Sequence, residues 1–173
     1  MVEQIPWGIR HGINSNNTKM KKLLFLILWI VSVSASAQLS DKPYTYPIRP
    51  GSELWKELTT SKQMDDVCVV PDDIILTLST KGLLLTCLDY PRLIDVFCSN
   101  SLQAGFDFQV NHFNGLKELY SREDIYKTIL EYYAEIDIQK CFMRLDSEYP
   151  DFFQVALLEL MLAQDEAIKS YDE

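Results

Sequence analysis

Histidine is almost missing from this sequence: His11 and His112 are the two among 173 residues. No C-x-x-C or H-x-x-x-H spacing occurs, so zinc has no local framework. No D-x-D-x-D-G series occurs either, which excludes a calcium loop of that kind. Cations are scarce, 16 Lys and Arg against 25 Asp and Glu, a formal charge of −9. Such a field repels phosphate backbones and anionic lipid, which argues against both as partners. The longest apolar stretch, Leu23 to Val33, is too short for a membrane span: about 17 Å of helix against a hydrocarbon core of about 30 Å. Nothing repeats with a period of the helical-repeat kind.

What that short stretch does have is the right flanks. Lys21 and Lys22 follow Met20, the run Leu23 to Val31 comes next, and it thins into Ser34-Ala35-Ser36-Ala37. Charge, apolar core and small residues in that order are the three parts of a secretory signal. A signal peptidase pocket admits only small side chains at the positions of Ala35 and Ala37, so cleavage is expected between Ala37 and Gln38. An uncleaved anchor is the competing reading, and length argues against it. No cysteine stands at the cleavage point to carry lipid; the first is Cys68. Residues 1–19 hold Pro6, Gly8, Gly12 and a polar cluster from Asn14 to Thr18, with no apolar face. They read as upstream sequence before a true start at Met20, or as an extended n-region.

Removing residues 1–37 takes away Arg10, Lys19, Lys21, Lys22 and the single acid Glu3, leaving 12 cations and 24 acids, a charge of −12. Residues 38–173 are one domain's worth, enough to bury a core unaided. Cys68, Cys87, Cys98 and Cys141 all remain, as does His112. Export would permit one or two disulfides in any of three pairings. The alternative is that the cysteines are ordinary buried side chains.

Residues 38–51 carry Pro43, Pro47 and Pro50 with Tyr44 and Tyr46, an extended lead-in. Ser52 then caps a helix expected to reach about Thr60. Pro71-Asp72-Asp73 opens a short helix to Leu78, although the β-branched residues of 74–78 also suit a strand. Ser79 or Thr80 caps a run through Leu88 that Pro91 must end. Short helices follow from Arg92, from Ser101 to His112 and from Leu116 to Tyr120, with Gly115 expected as a left-handed cap. Ser121 to Asp124 has capping-box spacing. Ile125, Ile129, Tyr132, Tyr133 and Ile136 form the clearest helical stripe. Tyr149-Pro150-Asp151 opens a last helix, Phe152 to about Ile168, with Ala156, Leu157, Leu160 and Met161 on one face. The fold class is therefore all-α: an irregular bundle or helical-repeat-like stack of six or seven short helices over residues 52–173.

Chemistry is harder to find. A nucleophilic cysteine needs a base, and His112 alone could serve, with no flanking signature to favour any thiol. Asp65-Asp66 or Asp72-Asp73 could act as a carboxylate pair, yet adjacent acids are expected among so many and belong naturally at helix starts. No cofactor is implied. The aromatic residues, 12% of the chain, are more than a small helical core needs, and Tyr and Trp favour partner surfaces.

The string Ser79-Thr80-Lys81-Gly82-Leu83-Leu84-Leu85-Thr86-Cys87-Leu88-Asp89-Tyr90-Pro91, with Gly105-Phe106, Phe113-Asn114-Gly115-Leu116-Lys117-Glu118-Leu119 and Ser121-Arg122-Glu123-Asp124, resembles a set of uncharacterised exported bacterial proteins. The resemblance is confined to residues 79–124 and implies export and a helical fold, but no activity. It also implies a chain running on past Glu173. Function is expected to be non-catalytic, a periplasmic or extracellular module binding a protein or glycan. The alternative is a hydrolase of envelope or environmental polymers. Acids converging in a cleft would favour the hydrolase, and an exposed aromatic patch the binding module.

Overall fold

A computed structural model describes residues 39–143, 151–164 and 167. The chain divides after Ala37, and every described residue belongs to the unit Gln38–Glu173. Among the described residues there are nine α-helices, one 3-10 turn and no sheet. The fold is all-α, with α1 at Glu53–Lys56, α2 at Ser61–Val67, α3 at Asp72–Ile75, α4 at Thr80–Leu88, α5 at Leu102–His112, α6 at Asn114–Leu119, α7 at Ile125–Ala134, α8 at Ile138–Met143 and α9 at Phe152–Leu162. The 3-10 turn, Leu93–Val96, lies between α4 and α5. No helix among the described residues is long and apolar enough to cross a membrane.

Helix α4 is the centre. Its sequence, TKGLLLTCL, offers almost no polar face, and seven of its nine residues are buried. A helix apolar all round must be covered all round. Helices α6 and α7 pack on it, α5 packs on α6 and on the 3-10 turn, and α9 packs on α7 and on the same turn. The extended lead-in covers the remaining side. Gly82 makes that possible: a Cβ there would come 2.2 Å from the Ser40 carbonyl oxygen. Ser40 pairs with the α3–α4 connection through Ser40 N–H to Thr77 C=O (2.8 Å) and Ser79 N–H to Ser40 C=O (3.0 Å). Further on, Tyr46 is 2% exposed and belongs to the core cluster.

More helices are present than the six or seven expected, because turn chemistry divides several expected runs. The first helix stops at Lys56, and Thr60 caps a new one. Its hydroxyl accepts from Gln63 N–H while the Gln63 side chain accepts from Thr60 N–H, a reciprocal cap. Helix α3 ends at Ile75 rather than Leu78. The strand reading of 74–78 reduces to an isolated bridge between Leu78 and Ser40. Gly115 is not a left-handed cap. It lies inside α6, buried against Phe113, whose ring would be 2.4 Å from a Cβ at that position, and extended Phe113 is what separates α5 from α6. Ser121 makes no capping box: its hydroxyl donates to Glu118 C=O (2.7 Å), and Asp124, the residue before α7, gives it no side-chain cap. Helix α8, not among the expected helices, is capped by Asp137, whose Oδ1 accepts from the N–H groups of Gln139 and Lys140 at 3.1 and 3.3 Å. Helix α9 ends at Leu162, short of the expected Ile168, which lies outside the described residues together with Tyr149 and Pro150.

The aromatic stripe of α7 behaves as its spacing suggests. Ile125 and Ile129 are buried, and Tyr132, Tyr133 and Ile136 pack half-buried against the core. Along α9, Leu157 and Met161 of the expected face are buried while Ala156 and Leu160 are only half-buried, and Val155 and Leu158 are buried beside them.

Candidate functional site

Three stretches far apart in sequence meet at the end of α4. Asp89 follows the helix directly, because Pro91 forbids another turn. Arg49, at the end of the lead-in, reaches it with both guanidinium arms: Nη1 donates to Oδ1 at 2.9 Å and Nη2 to Oδ2. The Asp89 hydrogen bond raises the Arg49 pKa against the opposing effect of burial, and the guanidinium also stands 5.9 Å from the Tyr46 ring centre. The start of α9 closes the third side. Asp151 and Gln154 cap each other, and Gln154 Nε2 donates across to Leu88 C=O at 2.8 Å.

Between these groups lies a cleft of about 310 Å3 whose walls include Leu88, Tyr90, Leu93, Ile94 and Phe153. Ile94 in its wall is 41% exposed, and Phe152, next in sequence to the lining residue Phe153, is 54% exposed. Phe153 bridges this surface to the interior, its ring 5.6 Å from Phe152 and 5.3 Å from Phe97. An apolar wall with a bidentate ion pair at its end suits a partner that brings both an apolar group and hydrogen-bonding polar atoms.

A larger cleft, about 380 Å3, lies between α3 and α6. No aromatic ring lines it, and several of its polar groups are engaged. Asn114 holds the Val70 backbone from both sides, at 3.1 and 2.6 Å, and Glu118 pairs with Arg122. Acids converge elsewhere: Asp41, Asp124, Glu131 and Glu135 surround a notch of about 240 Å3 beside Lys81 and Tyr132. Each of the four has a partner. Asp41 accepts from the Ser79 hydroxyl and Asp124 from that of Thr80 at 2.6 Å. Glu135 faces Lys81 at 3.8 Å and Glu131 faces Lys127 at 3.9 Å. Burial, then the charges of Cys141 and Glu135, raise the Tyr132 phenol.

The residues singled out from sequence are scattered. Cys68, Cys87 and Cys141 are buried free thiols and Cys98 is an exposed one. Burial pushes Cys68 up to about 11 and raises Cys87 and Cys141 as well. That shift opposes the thiolate a nucleophile needs. His112 is tied to its own helix, Nδ1 donating to Phe108 C=O at 2.7 Å with the two rings stacked. Asp65 pairs with Arg92, Asp66 with Lys62, and Asp72 and Asp73 sit in the first turn of α3. Ala37 and Gln38 lie outside the described residues. Among the described residues no group of three or more His, Cys, Asp and Glu side chains is placed to hold a metal. No protein-family model matches the chain, and neither a curated protein nor a solved structure matches it.

Most aromatic side chains serve the core. Tyr90 stacks on Phe113 at 4.0 Å, and Tyr46 meets Tyr90 edge-on. Phe152 and Phe108 are the exposed large aromatics among the described residues, and Phe152 stands in sequence between the cleft-lining Asp151 and Phe153. Sequence reasoning missed Arg49, Asp89 and Gln154 because no short motif joins them.

Proposed function

We propose that the protein is an exported bacterial binding module without catalytic activity. It acts in the periplasm or outside the cell, and the cleft at Arg49 and Asp89 is its contact surface. The observation that carries this is a cleft ending in an ion pair, with Phe153 and the exposed Ile94 in its wall and the half-exposed Phe152 in ring contact with Phe153. An aromatic anchor beside a satisfied polar pair is how small interfaces concentrate their affinity. Export is supported by the charge, apolar run and small residues of 20–37, and by the division of the chain after Ala37. The partner is a protein segment or a glycan; the acidic surface disfavours nucleic acid.

The test is binding to arrays of envelope peptides and glycans by the wild-type domain and by Phe152→Asp and Ile94→Asp. The reading requires a saturable ligand whose binding falls at least about tenfold in both variants, with helical circular dichroism unchanged. Ligands bound equally by all three proteins would refute it.

The acid-lined notch favours a second reading, the hydrolase. That reading requires turnover of a polysaccharide or ester substrate, abolished by Asp124→Asn or Glu135→Gln and untouched by Phe152→Asp.

A further inference from the structure

We propose that the lead-in, residues 39–49, is a strap that shields the expected Ala37–Gln38 bond while docked, so that signal removal requires the strap to lift from α4. This rests on the export reading. In the docked strap both backbone edges of Ser40 are taken, its N–H by Thr77 and its C=O by Ser79. Its carbonyl also lies over Gly82, where even a Cβ would approach to 2.2 Å. The strap is held again at Tyr44, whose N–H donates to the Thr86 hydroxyl at 2.9 Å, and at Tyr46, whose hydroxyl donates to Thr86 C=O at 3.2 Å.

Only Gln38 and Leu39 separate the expected scissile bond from this seat, a reach of about 7 Å at full extension. A peptidase must lay extended backbone from both sides of the bond into its cleft, with N–H and C=O groups available to it. A docked Ser40 has neither to offer, and the folded body would press against the enzyme. Cleavage therefore requires a lifted strap. Lifting it withdraws Tyr46 from the core, so the unprocessed chain at the peptidase is incompletely closed. Hydrolysis breaks the Ala37–Gln38 amide; water gives its hydroxyl to the Ala37 carboxyl and a proton to the Gln38 amine. The strap is then free to dock.

The experiment uses the full-length chain, folded in detergent and exposed to bacterial signal peptidase, with intact mass as readout. Gly82→Ala blocks the Ser40 seat, and its precursor is expected to be cut at least about tenfold faster than wild type. Thr86→Val removes the Tyr44 hydrogen bond while keeping the shape of α4, and about a fivefold increase is expected from one lost hydrogen bond. Hydrogen exchange at the Ser40 and Tyr44 amides is expected to be slow in the chain beginning at Gln38 and fast in either variant. Equal cutting rates for wild type and both variants would overturn the strap while leaving export intact. No cutting at Ala37–Gln38 in any precursor would overturn export itself.

Discussion

Tyr46 shows how a residue from a proline-rich stretch can be indispensable to a helical core. Its ring lies against Tyr44 and Tyr90 while its hydroxyl reaches Thr86. Tyr46→Ala is expected to cost about 3–5 kcal/mol, the range for losing a large buried ring, and Tyr46→Phe about 1 kcal/mol. Urea denaturation of the two variants checks both values. Burial raises the pKa of Tyr46, Cys87 and Tyr90, and moves that of Cys68 to about 11. An unfolded thiol ionises near about 8.5. Below that pH both states keep their protons, and stability does not depend on these groups. Above it the unfolded chain alone releases them, so stability falls as pH rises toward 11. Thermal midpoints from pH 7 to 11 are expected to be flat and then to decline; a rise above pH 9 would contradict the assignment. The thiols provide a separate check, since Cys98 is exposed and the other three are buried. One equivalent of alkylation is expected in native protein kept reduced, and four after denaturation.

At the scale of elements, a cap was legible where a polar starter stands directly before an apolar period. Ser52, Ser79 and Ser101 each accept a backbone N–H from the first turn of the helix they precede, as their sequence context suggests. Thr60 was missed because its partner is Gln63 within a polar stretch without a strong apolar period. Ser121 misled because cap spacing recurs wherever Ser and Asp are common, and its hydroxyl turns back to the preceding helix. Gly115 misled because it lies in the first turn of α6, with the ring of nearby Phe113 packed against its α-carbon. These distinctions predict different costs. Asp151→Ala, which removes a reciprocal cap from the core-facing α9, is expected to destabilise by about 1 kcal/mol. Ser121→Ala is expected to stay within about 0.5 kcal/mol of wild type. Equal losses in chemical denaturation would contradict the assignment of the two caps.

At the scale of the molecule, the all-α class followed from apolar spacing, while the cleft could not be read in advance. Arg49, Asp89 and Gln154 come together only because the lead-in crosses α4 where α9 begins. Such a meeting is decided by packing among distant segments, and it leaves no pattern along the chain. The acids are legible by count but not by placement, since helix starts and ion pairs account for several of them. The export reading, by contrast, rests on one contiguous stretch. Removal of residues 1–37 would carry the charge from −9 to −12 and leave the strap at the new N-terminus. Intact mass of the secreted protein is the most direct measurement of this account. A species beginning at Gln38 is the predicted result, and one retaining Met1 or Met20 would contradict it.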